Sequence, residues 1–536
     1  MIRSRFAAAL VGATALILTA GAHAQPAPKS VLRVAPHADL KTLDPVAASI
    51  VITRMHGLMI YETLFAWDAN LQPKPQMVES FSTAPDGLSW SFTLRPGLKF
   101  HDGQPVTTRD VIASLKRWMV RDTIGGKLGE YTEGMEAKDD RTFTLKLKKP
   151  MALVPFALGS AVGQIPVIMR EADAATDPTK PVTETIGSGP FKFNRAEWRS
   201  GAKIVYDKNA DYVPRAEPAD GLAGGRVVKV DRVEWMIMPD AATAAAALQT
   251  GEIDIWEQPS QDLIPVVAAA KDVKVERYSN LANQVMLRPN SLHPPFNNPK
   301  ARLALAYATD QAEFLAGGFG DEEWWKRCAA YFICGGPNGT EAGTEGYAKP
   351  DLEKAKQLLA EAGYKGEKLV LTTSNDIAAI GRMAEVAAAQ LKKAGVNVEV
   401  QFSDWGTVTT RQQNKSPPDQ GGWNLFVTYA SGATMQSPMT NIGTNMGCEK
   451  AWAGWPCDAE AEKLRGAVVD APDDAARKAA VEVLHKRLAE MQPYRVLGQF
   501  DQPYARRANV SGVLAAPVML FWNIERSDAD AALTGS

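Results

Sequence analysis

Along this chain, hydrophobic residues recur in some segments at the spacing of one helix face and in others at every second position, the spacing of a strand. Residues 89–94 alternate as a half-buried strand, and residues 50–64 place apolar side chains at helical spacing. Asp351 begins a second amphipathic helix, and residues 382–394 form a third. Residues 396–402 then alternate as a strand. This succession predicts α/β layering around a mostly parallel sheet in the second half of the chain.

A strand-like run at residues 284–287 is followed by a proline-rich segment, residues 289–299, and then by a helical pattern. Proline fixes φ and lacks an N–H donor, so this segment is neither a helix interior nor a central strand. A strand, a stiff elbow and a helix are typical of a junction between two lobes. The alternative is an ordinary loop inside one domain.

The N-terminus has the pattern of a secretory signal peptide. Arg3 and Arg5 precede an apolar run over residues 6–20, and Ala22 and Ala24 supply small residues at the −3 and −1 positions. We expect cleavage after Ala24, which makes residues 1–24 the signal peptide. The run is short for a membrane span, and no later run approaches about 18 uninterrupted apolar residues. The mature protein is therefore expected in the periplasm of a Gram-negative cell.

Length and charge narrow the classes of protein further. The chain has 536 residues, too many for one core, so two or three domains are expected. Hydrophobic residues make up 45% and charged residues 22%, as in soluble globular proteins. Removal of Arg3 and Arg5 takes the formal net charge from −2 to −4. No long basic stretch suggests nucleic acid as a partner.

All four cysteines lie in the predicted mature chain, and they allow three pairings. We favour Cys328–Cys334 and Cys448–Cys457, because each pair brackets a Gly/Trp-rich loop that closes easily. The competing interpretation is a metal site. The spacings C-x5-C and C-x8-C do not match zinc knuckles, and an oxidising compartment favours disulfides.

Several segments, in order, resemble one family. Residues 86–118, DGLSWSFTLRPGLKFHDGQPVTTRDVIASLKRW, look like the characteristic segment of the family 5 extracellular solute-binding proteins, the dipeptide-, oligopeptide- and nickel-binding components of ABC importers. Further matching pieces are Gly187–Phe191, Asn209–Tyr212, Leu248–Asp254 and the elbow around Pro294–Leu305. Each piece is weak alone, but the ordered set covers nearly the whole mature chain.

The resemblance implies an α/β, two-lobe periplasmic-binding-protein fold of type II, cluster C. Lobe I would comprise residues 25–288 plus 500–536, with an extra subdomain at 76–180. Lobe II would comprise residues 289–499. The proline-rich elbow would be one crossing between the lobes, and residues 494–500 would be the return crossing.

The resemblance also implies a function without catalysis. The chain would capture a small peptide or a peptide-like, carboxylate-bearing solute between its lobes and deliver it to an inner-membrane ABC permease. It would act as a monomer and need no cofactor. A nickel-chelate or other non-peptide solute binder of the same family is the alternative. A secreted hydrolase is a remote one, since no catalytic motif such as G-x-S-x-G or H-E-x-x-H is present.

Arg382 is the first candidate ligand contact. It is expected in the first turn of its helix, where free N–H groups and the dipole favour anions. Dipeptide binders of the family hold the peptide carboxylate with an Arg-Met-Ala-Glu sequence, and residues 382–385 have that form. A solvated arginine at a helix end is the alternative.

Three aromatic residues and one histidine complete the candidate set. Trp405 follows a strand at a place where family members often hold an aromatic ring over the ligand, although a packed surface also explains it. Tyr429 ends a strand expected over residues 423–429, and ligands bind at the ends of such strands, although a core tyrosine also explains it. Tyr61 is equally explained as a core aromatic at a helix end. His37, in the loop after the first strand, is the residue to test for nickel-chelate binding.

One departure from the family concerns the solute. Peptide binders carry an aspartate after the strand equivalent to residues 423–429, where it pairs with the ligand's α-ammonium. In this chain that place falls at Ala433, and no acid lies between Asn424 and Cys448. Because a buried ammonium without a counter-charge is costly, we expect a solute with a carboxylate but without a free α-amine at that place.

Overall fold

The computed structural model describes residues 30–527 apart from residues 278, 280 and 376. The predicted signal peptide lies outside the described residues, as do residues 528–536. Strands of the described chain assemble into a seven-stranded, a six-stranded and a four-stranded sheet, with two short two-stranded ribbons. None of the helices in this part of the chain is both long and apolar enough to cross a membrane.

The strands, numbered in chain order, are short and mostly buried on at least one face. They are β1 Val31–Ala35, β2 Phe65–Trp67, β3 Pro73–Pro75, β4 Val78–Thr83, β5 Ser89–Leu94, β6 Thr132–Ala137, β7 Thr142–Leu147, β8 Phe191–Phe193, β9 Lys203–Lys208, β10 Arg232–Met236, β11 Ile255–Trp256, β12 Val273–Arg277, β13 Asn283–Pro289, β14 Trp325–Lys326, β15 Leu369–Ser374, β16 Val398–Ser403, β17 Leu425–Ala430, β18 Arg495–Phe500, β19 Pro503–Arg507, β20 Val510–Ser511 and β21 Glu525–Arg526.

The α-helices pack on the faces of these sheets or connect them. They are α1 Val51–Ile60, α2 Thr108–Arg121, α3 Thr123–Tyr131, α4 Val154–Leu158, α5 Glu171–Ala174, α6 Ala241–Thr250, α7 Ile264–Ala268, α8 Pro299–Ala308, α9 Gln311–Phe319, α10 Leu352–Glu361, α11 Ala378–Lys393, α12 Trp405–Gln412, α13 Gly432–Met435, α14 Ala459–Asp470 and α15 Asp474–Met491.

The seven-stranded sheet is the centre of lobe I, in the order β12-β19-β11-β1-β10-β9-β8. Strand β1 pairs in parallel with β10 and β11, so these three strands end at one edge. The four-stranded antiparallel sheet, β4-β5-β7-β6, lies inside the range expected for the extra subdomain. Helices α2 and α3 belong to the same part of the chain.

The six-stranded sheet of lobe II has the order β14-β18-β13-β17-β15-β16. Strand β15 pairs in parallel with β16 and β17, as the alternating helices and strands predict. The pairs β13–β17, β13–β18 and β14–β18 are antiparallel. The expectation of a mostly parallel sheet is therefore wrong, because the strands beside the lobe junction run against the α/β strands.

The chain passes between the two large sheets twice. It leaves the seven-stranded sheet at the end of β12, Arg277, and enters the six-stranded sheet at the start of β13, Asn283. It returns between the end of β18, Phe500, and the start of β19, Pro503. The proline-rich elbow follows β13 and precedes α8, so it lies inside lobe II rather than at the junction. Residues 283–288, expected in lobe I, pair within the lobe II sheet because their apolar side chains complete its core.

Local sequence signals explain where several helices begin. The carboxylate of Asp351 accepts a hydrogen bond from the Lys354 N–H and caps α10, as expected. Asp110 Oδ2 accepts from the Thr107 N–H at 2.8 Å, the reciprocal bond of a capping box at the start of α2. Helix α11 begins at Ala378, four residues before the predicted start, because residues 378–381 continue the helical run.

Candidate functional site

A cavity of about 350 Å³ lies at the two chain passages, with walls from both lobes. Lobe I contributes His37 and Gln258, each two residues beyond the end of a strand, β1 or β11. Lobe II contributes Tyr429 near the end of β17 and the turn that leads into α13. Strand ends meeting across a crevice are the usual ligand position in open α/β folds. We call this space the central cavity.

His37 lines the central cavity and is held from behind by Glu257. Glu257 Oε2 accepts from the His37 main-chain N–H and contacts His37 Nδ1, both at 2.9 Å. The Glu257 side chain is fully buried. Burial lowers the pKa of His37, but the adjacent Glu257 carboxylate outweighs it, so the pKa is raised overall. The arrangement favours a positively charged imidazolium with Nε2 left for a ligand.

Two arginines add positive charge to the same cavity. Arg54, on α1, is buried, and its Nη1 donates to the Ala161 carbonyl at 2.7 Å. Arg277, at the end of β12, makes an ion pair with Asp501 in the return passage, with Nε and Oδ2 2.8 Å apart. Among the described residues that line the cavity, Asp501 is the one carboxylate. Because Arg277 and Asp501 compensate each other, the attraction of the central cavity for an anionic group comes from Arg54 and the His37 imidazolium.

Tyr429 and Ala433 both lie on the lobe II wall of the central cavity. The Tyr429 side chain is 38% exposed, and its ring lies edge-on to Phe500 with centroids 5.1 Å apart. Burial raises the pKa of the Tyr429 hydroxyl, which therefore stays a protonated donor. Ala433 lines the cavity and is itself buried. The methyl side chain of Ala433 offers no counter-charge to an ammonium group in the cavity.

Arg382 does not lie beside His37 and Tyr429. It is the fifth residue of α11, past the free N–H groups of the first turn, so the predicted first-turn position is wrong. Its Nη2 donates to the Gly318 carbonyl at 3.2 Å. Arg382 lines a second cavity of about 590 Å³ between α7 and α9, which is also lined by three acids: Asp262, Asp321 and Glu323. That setting is less favourable to an anion than the central cavity.

Trp405 and Tyr61 line neither of these two cavities in the described chain. Trp405 is the first residue of α12 and packs half-buried against the lobe II core. Tyr61 is 2% exposed in the lobe I core, and its hydroxyl donates to the Glu184 carbonyl at 3.2 Å. The structure therefore places Tyr61 as the core aromatic that its helix-end position also allowed.

Both expected disulfides are formed, Cys328–Cys334 and Cys448–Cys457. Cys328, Cys334 and Glu341 come within 4.8 Å of one another, a grouping that resembles a metal site. Because the two sulfur atoms are bonded to each other, they are not available as thiolate ligands. The local pairing predicted from the loops is confirmed.

The sequence patterns did not indicate three features of the cavity: Arg54, Glu257 and the Arg277–Asp501 pair. Arg54 is a single charge within an otherwise apolar helix, and nothing in its spacing distinguishes it from a solvated residue. Glu257 lies 220 positions from His37, so only the fold brings them together. Asp501 directly follows the apolar run predicted as the return crossing. That position was the one sequence feature that could have indicated a role for Asp501 in the cavity.

Comparison with known proteins decides the family. The family model described as "Bacterial extracellular solute-binding proteins, family 5 Middle" matches residues 72–451. The chain belongs to this family. The probable peptide ABC transporter periplasmic-binding protein y4tO of Sinorhizobium fredii is 41% identical over 497 residues, 91% of this chain and 92% of that protein. The oligopeptide-binding protein AppA of Bacillus subtilis is 28% identical over 87% of this chain and 86% of its own length.

Two solved structures of binding proteins share the fold. The binding protein AgaA from A. tumefaciens, in complex with agropinic acid, superposes with a TM-score of 0.77 at 24% identity, covering 93% of this chain and 99% of that one. AppA from Bacillus subtilis, in complex with a nonapeptide, gives a TM-score of 0.75 at 22% identity, covering 94% and 100%. The predicted two-lobe fold is confirmed. Membership in a family of solute-binding proteins also agrees with the expectation of a non-enzyme.

Proposed function

We propose that this chain is the periplasmic substrate-binding component of an ABC importer for a small peptide or a peptide-like, carboxylate-bearing solute. The observation that carries the proposal is the central cavity, whose walls come from strand ends of both lobes beside the two chain passages. The 41% identity to a probable peptide-binding relative over nearly the whole length supports a peptide-like solute.

The lobes hinge about the two passages. In this proposal lobe I comprises residues 30–277 and 503–527, and lobe II comprises residues 283–500. A solute that touches His37 and Tyr429 together bridges the lobes, so it binds the closed form more tightly than the open form. That differential affinity is what moves the equilibrium towards closure.

The charges of the central cavity define the chemistry of the solute. The His37 imidazolium and Arg54 attract a carboxylate, while Asp501 is occupied by Arg277. An α-ammonium placed near Ala433 would be desolvated without a counter-charge, at a cost of several kcal/mol. The solute therefore carries a carboxylate and has no free α-amine at that position, as in an N-blocked peptide or an amide conjugate.

The test is a calorimetric titration of the mature protein, after removal of bound solute by mild denaturation and refolding. Matched pairs of free-amine and N-acetylated dipeptides are compared, and the released solute is identified by mass spectrometry. We expect the N-acetylated member of a pair to bind more tightly. Tight binding of free-amine dipeptides that is lost on N-acetylation would contradict this assignment of the solute.

The closed form then docks on an inner-membrane permease, which passes the solute to an ATP-driven transporter. The names of the relatives support association with an ABC transporter in the periplasm. The protein acts as a monomer, because each chain contains both walls of its own cavity.

Nickel-chelate binding is the second candidate, and the His37–Glu257 pair is the observation that favours it. Histidines that bind metal commonly donate their other ring N–H to a carboxylate. The raised pKa of His37 works against it, because a metal must displace the proton. A nickel–histidine complex that protects the wild type against unfolding, but not His37→Ala, would select this function over peptide capture.

A further inference from the structure

Lobe II contains a third cavity, of about 590 Å³, that does not include the residues of the central cavity. It lies between the start of α9, the segments around the first disulfide and the start of the return strand β18. Its volume lies in the range of small-molecule sites, about 300–1,000 Å³. We call it the Arg495 cavity after the residue at its base.

Arg495 is the first residue of β18 and is 3% exposed. Its Nε donates to Thr309 Oγ1 at 3.1 Å, and its guanidinium lies 5.0 Å from the centroid of the Tyr347 ring. Within the described chain no carboxylate pairs with Arg495, and its two Nη groups donate to no protein acceptor. The Nη groups are not sealed from the cavity, so an occupant can accept hydrogen bonds from them.

Arg288 shows how this lobe otherwise satisfies a buried guanidinium. It is also fully buried, yet its three nitrogens donate to the carbonyls of four residues, at 2.8 to 3.0 Å: Ala453, Gly443, Pro493 and Trp452. Arg302, likewise buried, donates to the Met491 and Phe296 carbonyls. Arg495 has no such set of carbonyls. The cavity lies beside Arg495, where such carbonyl groups would otherwise accept its hydrogen bonds.

The other polar groups of the cavity set the charge of its occupant. The Tyr347 hydroxyl accepts from Gln492 Nε2 at 2.9 Å, and burial raises its pKa to about 12, so its proton remains available to donate. Arg327 lines the cavity and lies 3.5 Å from Asp310, the acid that caps α9. Glu341 and Glu345 also line the cavity. The two arginines and two glutamates that line the cavity balance in charge. A single negative charge on an occupant is attracted to Arg495, and the glutamates repel a second.

We propose that the Arg495 cavity binds a small monocarboxylate, whose two oxygens accept from the Nη groups of Arg495 and from the Tyr347 hydroxyl. A planar carboxylate matches the guanidinium fork, which holds it through two parallel bonds. The site is separate from the central cavity and is independent of which solute the importer carries.

The test uses the full mature chain, with sodium propionate as the probe and sodium chloride at equal ionic strength as the reference. We expect a saturable rise in Tm with propionate, because a ligand that binds the folded state stabilises it in proportion to its occupancy. Phosphate, with its higher charge, is expected to give a weaker effect. The absence of a saturable rise with propionate, or an equally strong rise with phosphate, would overturn the proposal.

Two variants locate the effect. Arg495→Met keeps the side-chain volume and removes the fork, and it should raise the half-saturating propionate concentration by about tenfold or more. Tyr347→Phe removes one donor and should weaken propionate by up to about tenfold, which keeps the test decisive if Arg495→Met fails to fold. Arg141→Gln, on the surface of the four-stranded sheet, is the control and should respond as the wild type does. An unchanged response in both cavity variants would overturn the proposal.

Discussion

At the residue scale, the central cavity combines charges from segments far apart in the chain. His37 and Arg54 come from the first strand and helix, and Glu257 comes from the end of β11. The structure puts the positive groups around one space and pairs its one lining carboxylate, Asp501, within the described residues. This distribution, rather than any single residue, gives the cavity its preference for an anion.

Removal of the Arg382 side chain is an informative test, because the family resemblance and the structure predict different effects on solute affinity. The resemblance to dipeptide binders predicts that Arg382→Ala weakens an anionic solute by about 2–4 kcal/mol, as for a desolvated charge pair that loses one partner. The structure places Arg382 among three acids in another cavity. Calorimetric titration of Arg382→Ala with an N-acetylated dipeptide decides between them, with Arg141→Ala as the control. Unchanged affinity would remove Arg382 from the site and leave His37 and Arg54 as the contacts.

His37 predicts a dependence of stability on pH. Its pKa is raised in the folded state, since the Glu257 charge and hydrogen bond outweigh the opposing effect of burial. The stability that it contributes is therefore fully present below its unfolded pKa, about 6.5, and is lost as pH rises through the folded pKa. One histidine changes the free energy of unfolding by at most about 1.4 kcal/mol per pH unit.

The measurement is chemical unfolding of the wild type and of His37→Gln at steps between about pH 6 and 9. The wild type should lose more stability than the variant as pH rises. His56, His101 and His485 do not interfere with this comparison, because their pKa values are lowered by burial and they act on the acid side. Equal slopes in the two proteins would show that His37 is not charged through Glu257.

The sequence predicted the residues of the cavity less completely than it predicted the secondary structure. Tyr429, Ala433 and His37 were singled out from strand ends and a family resemblance, and all three line the central cavity. Glu257 became visible only when the fold brought β1 and β11 side by side, two segments with no local sequence relation. Long-range pairing of this kind leaves no periodic signal in the chain.

At the scale of elements, periodicity predicted several helices and strands, and local chemistry predicted where α10 begins. The strand at residues 89–94 has the expected bounds, and α10 begins after its predicted cap at Asp351. The start of α11 was missed because residues 378–381 carry no capping residue that marks the true beginning. The position of the lobe junction was predicted wrongly. Prolines indicate a stiff segment, and here the stiff segment follows β13, whereas the chain passes between the two large sheets before β13.

The capping box of α2 supports an element-level prediction. Asp110 Oδ2 accepts from the Thr107 N–H and hydroxyl, and its Oδ1 accepts from the Glu171 N–H at 2.7 Å, joining α2 to α5. Asp110→Ala leaves these donors without an acceptor and should reduce the free energy of unfolding by about 2 kcal/mol. Lys116→Ala, exposed on the same helix, is the control and should change stability by less than about 0.5 kcal/mol. Denaturant unfolding checks both, and equal losses would refute the role of the cap.

At the scale of the whole molecule, lobe II reaches into the core of lobe I. Three side chains of lobe II, Ala433, Met439 and Val469, pack within the large hydrophobic cluster of lobe I. Asp470, at the end of α14, accepts from the Tyr131 hydroxyl at 2.5 Å and lies 3.1 Å from Lys149 Nζ. The structure therefore describes lobes in contact, held by an apolar patch and a polar bridge to the four-stranded sheet's subdomain.

The polar bridge should bias the equilibrium between open and closed forms. Asp470→Ala removes the acceptor for Tyr131 and Lys149, and because the charges are half exposed the effect is modest, about threefold towards the open form. Lys146→Ala, which breaks an ion pair with Glu136 inside the four-stranded sheet, is the matched control. Fluorescence energy transfer between labels on the two lobes measures the ratio. A control that opens the lobes as much as Asp470→Ala would remove the bridge from the mechanism.

The central claim is that a peptide-like solute is captured by closure of two lobes about the central cavity. Small-angle X-ray scattering of the solute-free mature protein, with and without the tightest-binding N-acetylated dipeptide, tests it most directly. We predict a smaller radius of gyration with the dipeptide, and no change for a variant with His37→Ala and Tyr429→Ala at concentrations that saturate the wild type. Scattering that stays the same while calorimetry shows the wild type to be saturated would contradict capture by closure.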